Sequence, residues 1–548
     1  MSEPPEASAG SGGLSPSGQH RRAWLAELAW LPGVGVLPDV LIEAAGDRFT
    51  RITPNWLAGT TPRGPARAGL EGAVRLAGLT LPSLANGHSH AFHRALRGVA
   101  QGTGRGSFWT WREQMYQVAT KLDPDTYLAL ARAVYAEMAL AGIGCVGEFH
   151  YLHHGRDGVP YADPNEMSLA LVQAAAEAGL RITLLDTCYL SGGLDANGAS
   201  RPLSWPQLRF GDGTAAGWVK RVGQLPIDEH GMLGPAARVG AAIHSVRAVP
   251  PDQMTPVVAW THRVGAPLHV HLSEQVAENE ACLAAYRCTP TAVLYDAGVL
   301  GPRTTVVHAT HLTPADLRLL GGSETFACLC PTTEADLADG IGPFGALAAT
   351  GCRLTVGSDS QAVIDLFEET RRIELYQRLA TGERGTFGTE ALGTAMTWDG
   401  HASLGWPEAG EIAPGSLADL VTVSLDSPRL AGLVELAGAG PAAADLGGAG
   451  PVAVGLAGAG PAAVGLAGAG PAAAGPADRD ESGALVGSPI GQEPDLTLLQ
   501  AVIFAASSAD VRNVVIGGRD VVVDGRHALV ENVPAALASA IGAITGPS

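Results

Sequence analysis

Eight short apolar segments, each running into polar residues, set the strongest limit on the fold of this 548-residue chain. They are "GLTLPSLANGHSH", "GCVGEFHYLHH", "RITLLDTCYL", "VGAAIHSVRAV", "PLHVHLSEQ", "TTVVHATHL", "ETFACLCPTTE" and "RLTVGSDSQ". Helix-like stretches such as "PNEMSLALVQAAAEAGL" and "PADLRLLGG" fall between several of them. Eight such βα units predict an α/β fold, a TIM-type (β/α)8 barrel. The polar residues sit at the C-terminal ends of the segments, where the βα loops of a barrel form its mouth and carry its chemistry.

Outside the barrel, both ends of the chain read as β structure. "WLPGVGVLPDVLIEAAGDRFTRITP" near the start has its counterpart in "GSLADLVTVSLDSP" and "VRNVVIGGRDVVVDGRHALV" near the end, short strand patterns separated by Gly and Pro turns. A small β-sandwich domain built from both chain ends is expected. The division this implies is a disordered tail over 1–22, β-domain over 23–79, barrel over 80–405 and β-domain again over 406–435. A low-complexity insertion over 436–493 and a β-domain completion with C-terminal tail over 494–548 follow. Within the insertion, Leu436 to Gly475 is a decapeptide repeat, "LAGAGPAAAD" and its variants. Its Pro once per repeat and abundant Gly rule out a continuous helix, and the expectation is a flexible, non-catalytic segment.

Charge narrows the partners. The 54 acidic residues outweigh 35 basic ones for a net charge of -19, with no basic cluster beyond pairs such as Arg371 and Arg372. Neither nucleic acid nor an anionic membrane surface is an expected partner. A small anionic substrate is compatible, because a pocket needs only two or three arginines. Seven scattered cysteines do not form a disulfide framework, so a reducing compartment is expected, and "CLC" at Cys328 to Cys330 reads as packing. The N-terminal stretch lacks an apolar export core, which leads to a cytoplasmic localisation as the expectation.

Histidines and one aspartate gather at four of the predicted strand ends. His88 and His90 are spaced i, i+2, so on a strand both rings face one way and can share an ion. The fifth segment adds His269, His271 and Glu274, the sixth His308 and His311, and the eighth Asp359. This nitrogen and oxygen set suits Zn²⁺ or Fe²⁺. Spacing alone does not choose between His269 and His271.

With these residues assembled, the chain resembles the amidohydrolase superfamily, whose barrel binds metal through H-x-H on strand one, later histidines and an Asp on strand eight. "NGHSHAFHRALRG", "FWTWREQMY", "HSVRAVPP", "HATHLT", "LCPTTEADLADGIGPF" and "GSDSQ" resemble in particular its formiminoglutamate deiminase branch, from about Leu25 to Leu430 and again from Leu499. The resemblance implies His88, His90, His271 and Asp359 as metal ligands, with Glu274, His308 and Asp359 in the chemistry. It implies His93, Arg112, Tyr151, His244 and Arg247 on the substrate, and a homodimer. His269 and His311 are then packing or ligand-orienting residues, and Arg209 is either a loop salt bridge or a ligand contact. Where the family pattern carries Gln in "HAFQRA", this chain carries His93. Relatives with two metals bridge them by a carboxylated lysine, but the two lysines here, Lys121 and Lys220, lie on no predicted strand. One divalent ion per chain is expected, Zn²⁺ before Fe²⁺.

The chemistry implied is hydrolytic deimination: N-formimino-L-glutamate and water give N-formyl-L-glutamate and ammonia. The ion makes water nucleophilic near neutral pH. Asp359 and His308 take its proton, and Glu274 delivers a proton to the leaving nitrogen. Two arginines match the two carboxylates of the substrate. The alternatives are a deaminase of a neutral purine-type ring, disfavoured by those arginines, and a non-catalytic metal- or ligand-binding relative, disfavoured by an intact proton shuttle.

Overall fold

The computed structural model describes residues 21–57, 72–101, 108–433 and 495–545. Most of the expected N-terminal tail and the whole decapeptide repeat lie outside these residues. The chain opens with β1 (Arg21–Leu31), β2 (Gly35–Ala45), β3 (Arg48–Thr53) and β4 (Val74–Pro82). The barrel begins with β5 (Leu84–Ser89), β6 (Ile143–His150) and β7 (Arg181–Cys188). A small hairpin of β8 (Gly193–Leu194) and β9 (Ser200–Arg201) follows β7, and β10 (Met232–Gly234) precedes β11 (Ala237–Ile243). The barrel continues through β12 (Leu268–Leu272), β13 (Thr304–His308), β14 (Phe326–Leu329) and β15 (Leu354–Val356). The chain returns to the first sheet with β16 (Leu420–Val423), β17 (Val511–Ile516), β18 (Arg519–Val523) and β19 (Arg526–His527).

All eight predicted barrel strands form. They pair in parallel in the order β5, β6, β7, β11, β12, β13, β14, β15, and a parallel bridge between Ser89 and Asp359 closes the ring. Helices start where the sequence supplies caps. Asp123 accepts from Thr126 N at 2.9 Å before the helix Pro124–Leu140, and Thr313 pairs reciprocally with Asp316 before Pro314–Gly322.

The floor of the barrel is plugged by residues after the eighth strand. Leu404 enters the interior beside Gly147, where a Cβ would lie 2.3 Å from its Cδ2, so a larger residue there would displace it. Thr183 Oγ1 donates to the Leu404 carbonyl at 2.7 Å and accepts from Trp406 Nε1 at 3.0 Å. A closed floor leaves the mouth as the route into the interior.

The two chain ends do build one β-domain, whose strands are hydrogen-bonded in the order β19-β18-β17-β16-β4-β1-β2-β3. β4 runs through the expected domain boundary at residue 79. The segment "GLTLPSLANGHSH" therefore serves both units, its first half in the end sheet and its second in the barrel. The sheet has its own apolar core, including Trp24, Ile42, Phe49 and Leu420. It is tied to the barrel by a buried bidentate pair, Arg181 Nε to Asp419 Oδ2 at 2.6 Å and Nη2 to Oδ1 at 3.0 Å. Part of the expected C-terminal tail is a helix, Val533–Thr545, packed on Pro124–Leu140. Among the described residues no helix is long and apolar enough to cross a membrane.

Candidate active site

Barrel closure and the histidine pair are one structural event. The peptide of Asp359 bonds to both histidines, its N–H donating to the His88 carbonyl at 3.0 Å and its carbonyl accepting from His90 N–H at 3.3 Å. Gly357 makes this approach feasible, since a Cβ there would sit 2.8 Å from the His88 backbone nitrogen. Asp359 itself adopts φ +44°, a left-handed conformation uncommon for a non-glycine residue.

Four donor atoms converge as a result. His88 Nε2 lies 3.1 Å from His271 Nε2 and 3.3 Å from Asp359 Oδ1, and His90 Nε2 is 3.6 Å from the same oxygen. A tetrahedral ion with bonds of about 2.1 Å separates its ligands by about 3.4 Å; these three spacings lie near that value, and the nitrogens of His88, His90 and His271 are close enough to share an ion. The tautomers fit as well. His90 Nδ1–H donates to the Phe149 carbonyl at 2.8 Å and His271 Nδ1–H to the His244 carbonyl at 2.9 Å, which turns both Nε2 lone pairs inward. Burial lowers the pKa of all three histidines and keeps them neutral. Burial opposes ionisation of Asp359, but the hydrogen bond from His88 and the charge of His308 hold its carboxyl well below the ordinary range.

Beside the donors stands a row of charged groups. His308, at the end of β13 with φ +71°, has Nε2 at 3.7 Å from Glu274 Oε1 and 3.8 Å from Asp359 Oδ2. Its Nδ1 is 3.5 Å from Glu334 Oε1. Burial works against its protonation, but Glu274, Glu334 and Asp359 together raise it to about 10. Burial raises Glu274, against the pull of His308 and Arg247.

Arg247 is more committed than its sequence context suggests. Its Nε lies 3.3 Å from Glu278 Oε2 and its Nη2 3.5 Å from Glu274 Oε2, so the guanidinium bridges two carboxylates. Arg112 belongs to the helix Phe108–Ala119 and stacks over Trp109 and Tyr116. His93 Nε2 is 3.1 Å from Tyr151 OH, and burial pushes His93 down to about 3. His244 packs edge-on against the rings of Tyr189 and His271. All of these line one cavity of about 340 Å³, together with His90, His271, Glu274, His308 and Asp359.

Other candidates lie elsewhere. His269 faces the floor, with Nε2 3.1 Å from the Ser403 carbonyl. The backbone of His311 ties its loop to Ser273 and Asn279, and its ring lines no part of the cavity. Arg209 is neither of the alternatives expected for it. Its guanidinium donates to the carbonyls of His154, Ala119 and Leu122 and binds the loop after β6 to the end of the first long helix. Cys330, expected only to pack, also lies within metal-sharing distance of His308 and Asp359, and burial pushes its thiol far up.

Two residues were missed. Glu278 lies in the first turn of the helix Val276–Tyr286, four residues after Glu274, a spacing that could have flagged it. Glu334 lies inside "CPTTEADLADG" and carried no signal without its partner His308.

The sequence profile of the amidohydrolase family matches residues 79–464. The chain belongs to the amidohydrolase family. This amidohydrolase is 34% identical over 486 residues to the formimidoylglutamate deiminase of Pseudomonas aeruginosa, covering 87% of this chain and 91% of that one. It is 29% identical over 399 residues to the 8-oxoguanine deaminase of the same organism, covering 71% and 84%. Among solved structures, an amidohydrolase from Brucella melitensis is similar at 29% identity and a TM-score of 0.72, covering 95% of this chain and 99% of that one.

Proposed function

We propose that this amidohydrolase hydrolyses N-formimino-L-glutamate to N-formyl-L-glutamate and ammonia, using one divalent ion held by His88, His90, His271 and Asp359. The observation that carries this reading is a 340 Å³ cavity in which His90, His271 and Asp359 meet the Glu274–His308 pair, Arg112 and Arg247. Zn²⁺ is the ion we assign, with Fe²⁺ the alternative for the same donors. Held there, a divalent ion supplies Lewis acidity and makes water nucleophilic at neutral pH.

The residues of the chain do the rest. Asp359 accepts the proton of the attacking water, while His308, held protonated by its three acids and 3.7 Å from Glu274, stabilises the negative charge that develops. Glu274 protonates the imino nitrogen, which leaves as ammonia: R–NH–CH=NH and H₂O give R–NH–CHO and NH₃. Arg112 and Arg247 take the two carboxylates of the substrate, and the bridge from Glu274 and Glu278 fixes the Arg247 guanidinium in place. Two cationic anchors disfavour a neutral ring.

The test is ammonia release by the Zn²⁺-loaded protein from N-formimino-L-glutamate, guanine and 8-oxoguanine at equal concentration. Turnover of the first, with N-formyl-L-glutamate formed in step with ammonia, is expected. Turnover of a purine without it would overturn the assignment.

A further inference from the structure

Behind the donor atoms, on the side away from the cavity, runs a continuous buried hydrogen-bonded chain. Asn86 Nδ2 donates to Ser358 Oγ at 2.7 Å, and Ser358 Oγ donates to Gln361 Oε1 at 2.9 Å. Gln361 Nε2 donates to Ser89 Oγ at 2.9 Å, and Ser89 Oγ donates to Glu148 Oε2 at 2.8 Å. Glu148 Oε1 accepts from Ala91 N–H at 2.7 Å. Each hydroxyl accepts once and donates once, so every link points the same way and ends on a carboxylate. All five side chains are buried.

The members of this chain alternate with the donors. Ser89 lies between His88 and His90, Ala91 follows His90, and Ser358 and Gln361 bracket Asp359. The chain therefore spans the seam between β5 and β15, where the barrel closes, and reaches β6 through Glu148. Fixed backbone at those points fixes where the three flanking donors stand, including the left-handed conformations of Asp359 and Gln361. Without such restraint two histidine nitrogens and a carboxylate would relax apart when no ion joins them.

We propose that Glu148, Ser89, Gln361, Ser358 and Asn86 act as positioning residues that hold His88, His90 and Asp359 at ion-binding distance before the ion arrives. The inference rests on the metal-centre reading above and adds the residues that preorganise it. Ion affinity is thereby raised, because ordering has been completed during folding and is not charged against binding.

The test compares wild type, Ser89→Ala, Gln361→Ala and the double variant, reading the Zn²⁺ Kd by competition with a chromophoric chelator and the Tm of each metal-free protein. Each single variant should raise the Kd by ~10–100-fold, the usual effect of removing a ligand's supporting partner. The double variant should be no worse than the weaker single, since both cut one chain. The metal-free Tm should move by only a few degrees. An unchanged Kd in Ser89→Ala overturns the inference while leaving the metal centre intact, and so does a large Tm loss with wild-type Kd. A wild-type protein that takes up no Zn²⁺ overturns the metal centre and the inference with it.

Discussion

Histidines and acids from several strands gather on both sides of the barrel wall at β6, and the two sides do opposite things with them. On the inside, next to Phe149, the nitrogens of His88, His90 and His271 and the carboxylate of Asp359 point at one another, and among the described residues no arginine or lysine pairs with Asp359. On the outside lie His150, His153, His154, Asp186 and Asp212, and here Arg221 has taken the place an ion would occupy. Its Nη2 and Nη1 bind Asp186 at 2.7 and 3.0 Å, and its Nε binds Asp212 at 2.9 Å. Trp218 and Ser168 complete Asp186, His153 donates to the Thr187 carbonyl, and His154 reaches Asp212. His150, His153 and Asp186 have ligand atoms close enough to share a metal, yet the carboxylate is saturated by a buried guanidinium. Residue type does not separate a metal centre from a structural network. Whether the acid's oxygens remain open does.

Each side should therefore fail in its own way. Inside, Glu274→Gln keeps size and hydrogen bonding but cannot carry a proton, so kcat should fall ~10²–10⁴-fold with ion content and Tm unchanged. Near-normal turnover would remove Glu274 from the chemistry. Outside, Arg221→Met strands two buried carboxylates and should cost about 3–5 kcal/mol in urea unfolding, while kcat/KM per folded molecule stays within about twofold. A stable variant with lost activity would reverse the comparison.

Arg247 sharpens it, being a cation held by acids but facing the cavity. Arg247→Met removes charge-assisted hydrogen bonds worth about 1.5–3 kcal/mol, so kcat/KM for N-formimino-L-glutamate should drop roughly 10- to 150-fold. An unchanged value would make Arg247 a second Arg221. The smallest effect is in acid. Burial pushes Asp212 up, but His154 and Arg221 hold it down at about 2, below the ordinary ~3.9. A depressed carboxyl contributes stability that is full above the unfolded value and is lost as pH falls through the folded one. Melts from pH 5 to pH 2 should show a steeper Tm decline in wild type than in Asp212→Asn; equal slopes would contradict the pairing.

The barrel and its donors were legible because they depend on local pattern. Each strand is an apolar run with polar residues at its C-terminal end, and an i, i+2 pair on a strand must share a face. The choice of His271 over His269 was not legible from spacing, because it is made by Leu404 and Ser403, which plug the floor some 130 residues later in the chain and claim the deeper ring. Glu278 and Glu334 went unseen for the same reason, since their roles exist only once Arg247 and His308 stand beside them. Arg209 looked like a loop or ligand cation, but its partners are carbonyl oxygens, and a sequence does not display its carbonyls. The continuity of the end sheet was not legible, because it rests on β4, which pairs with both β1 and β16 and leads on into the barrel.

The most direct measurement is metal content per chain by plasma mass spectrometry on Zn²⁺-loaded, desalted wild type, His271→Ala and His153→Ala. About one ion should remain in wild type and in His153→Ala, and almost none in His271→Ala, since a three-ligand site with one wall missing holds its ion poorly. Full occupancy in His271→Ala, or two ions in wild type with one lost in His153→Ala, would contradict the assignment of the open side as the metal centre and the closed side as scaffold.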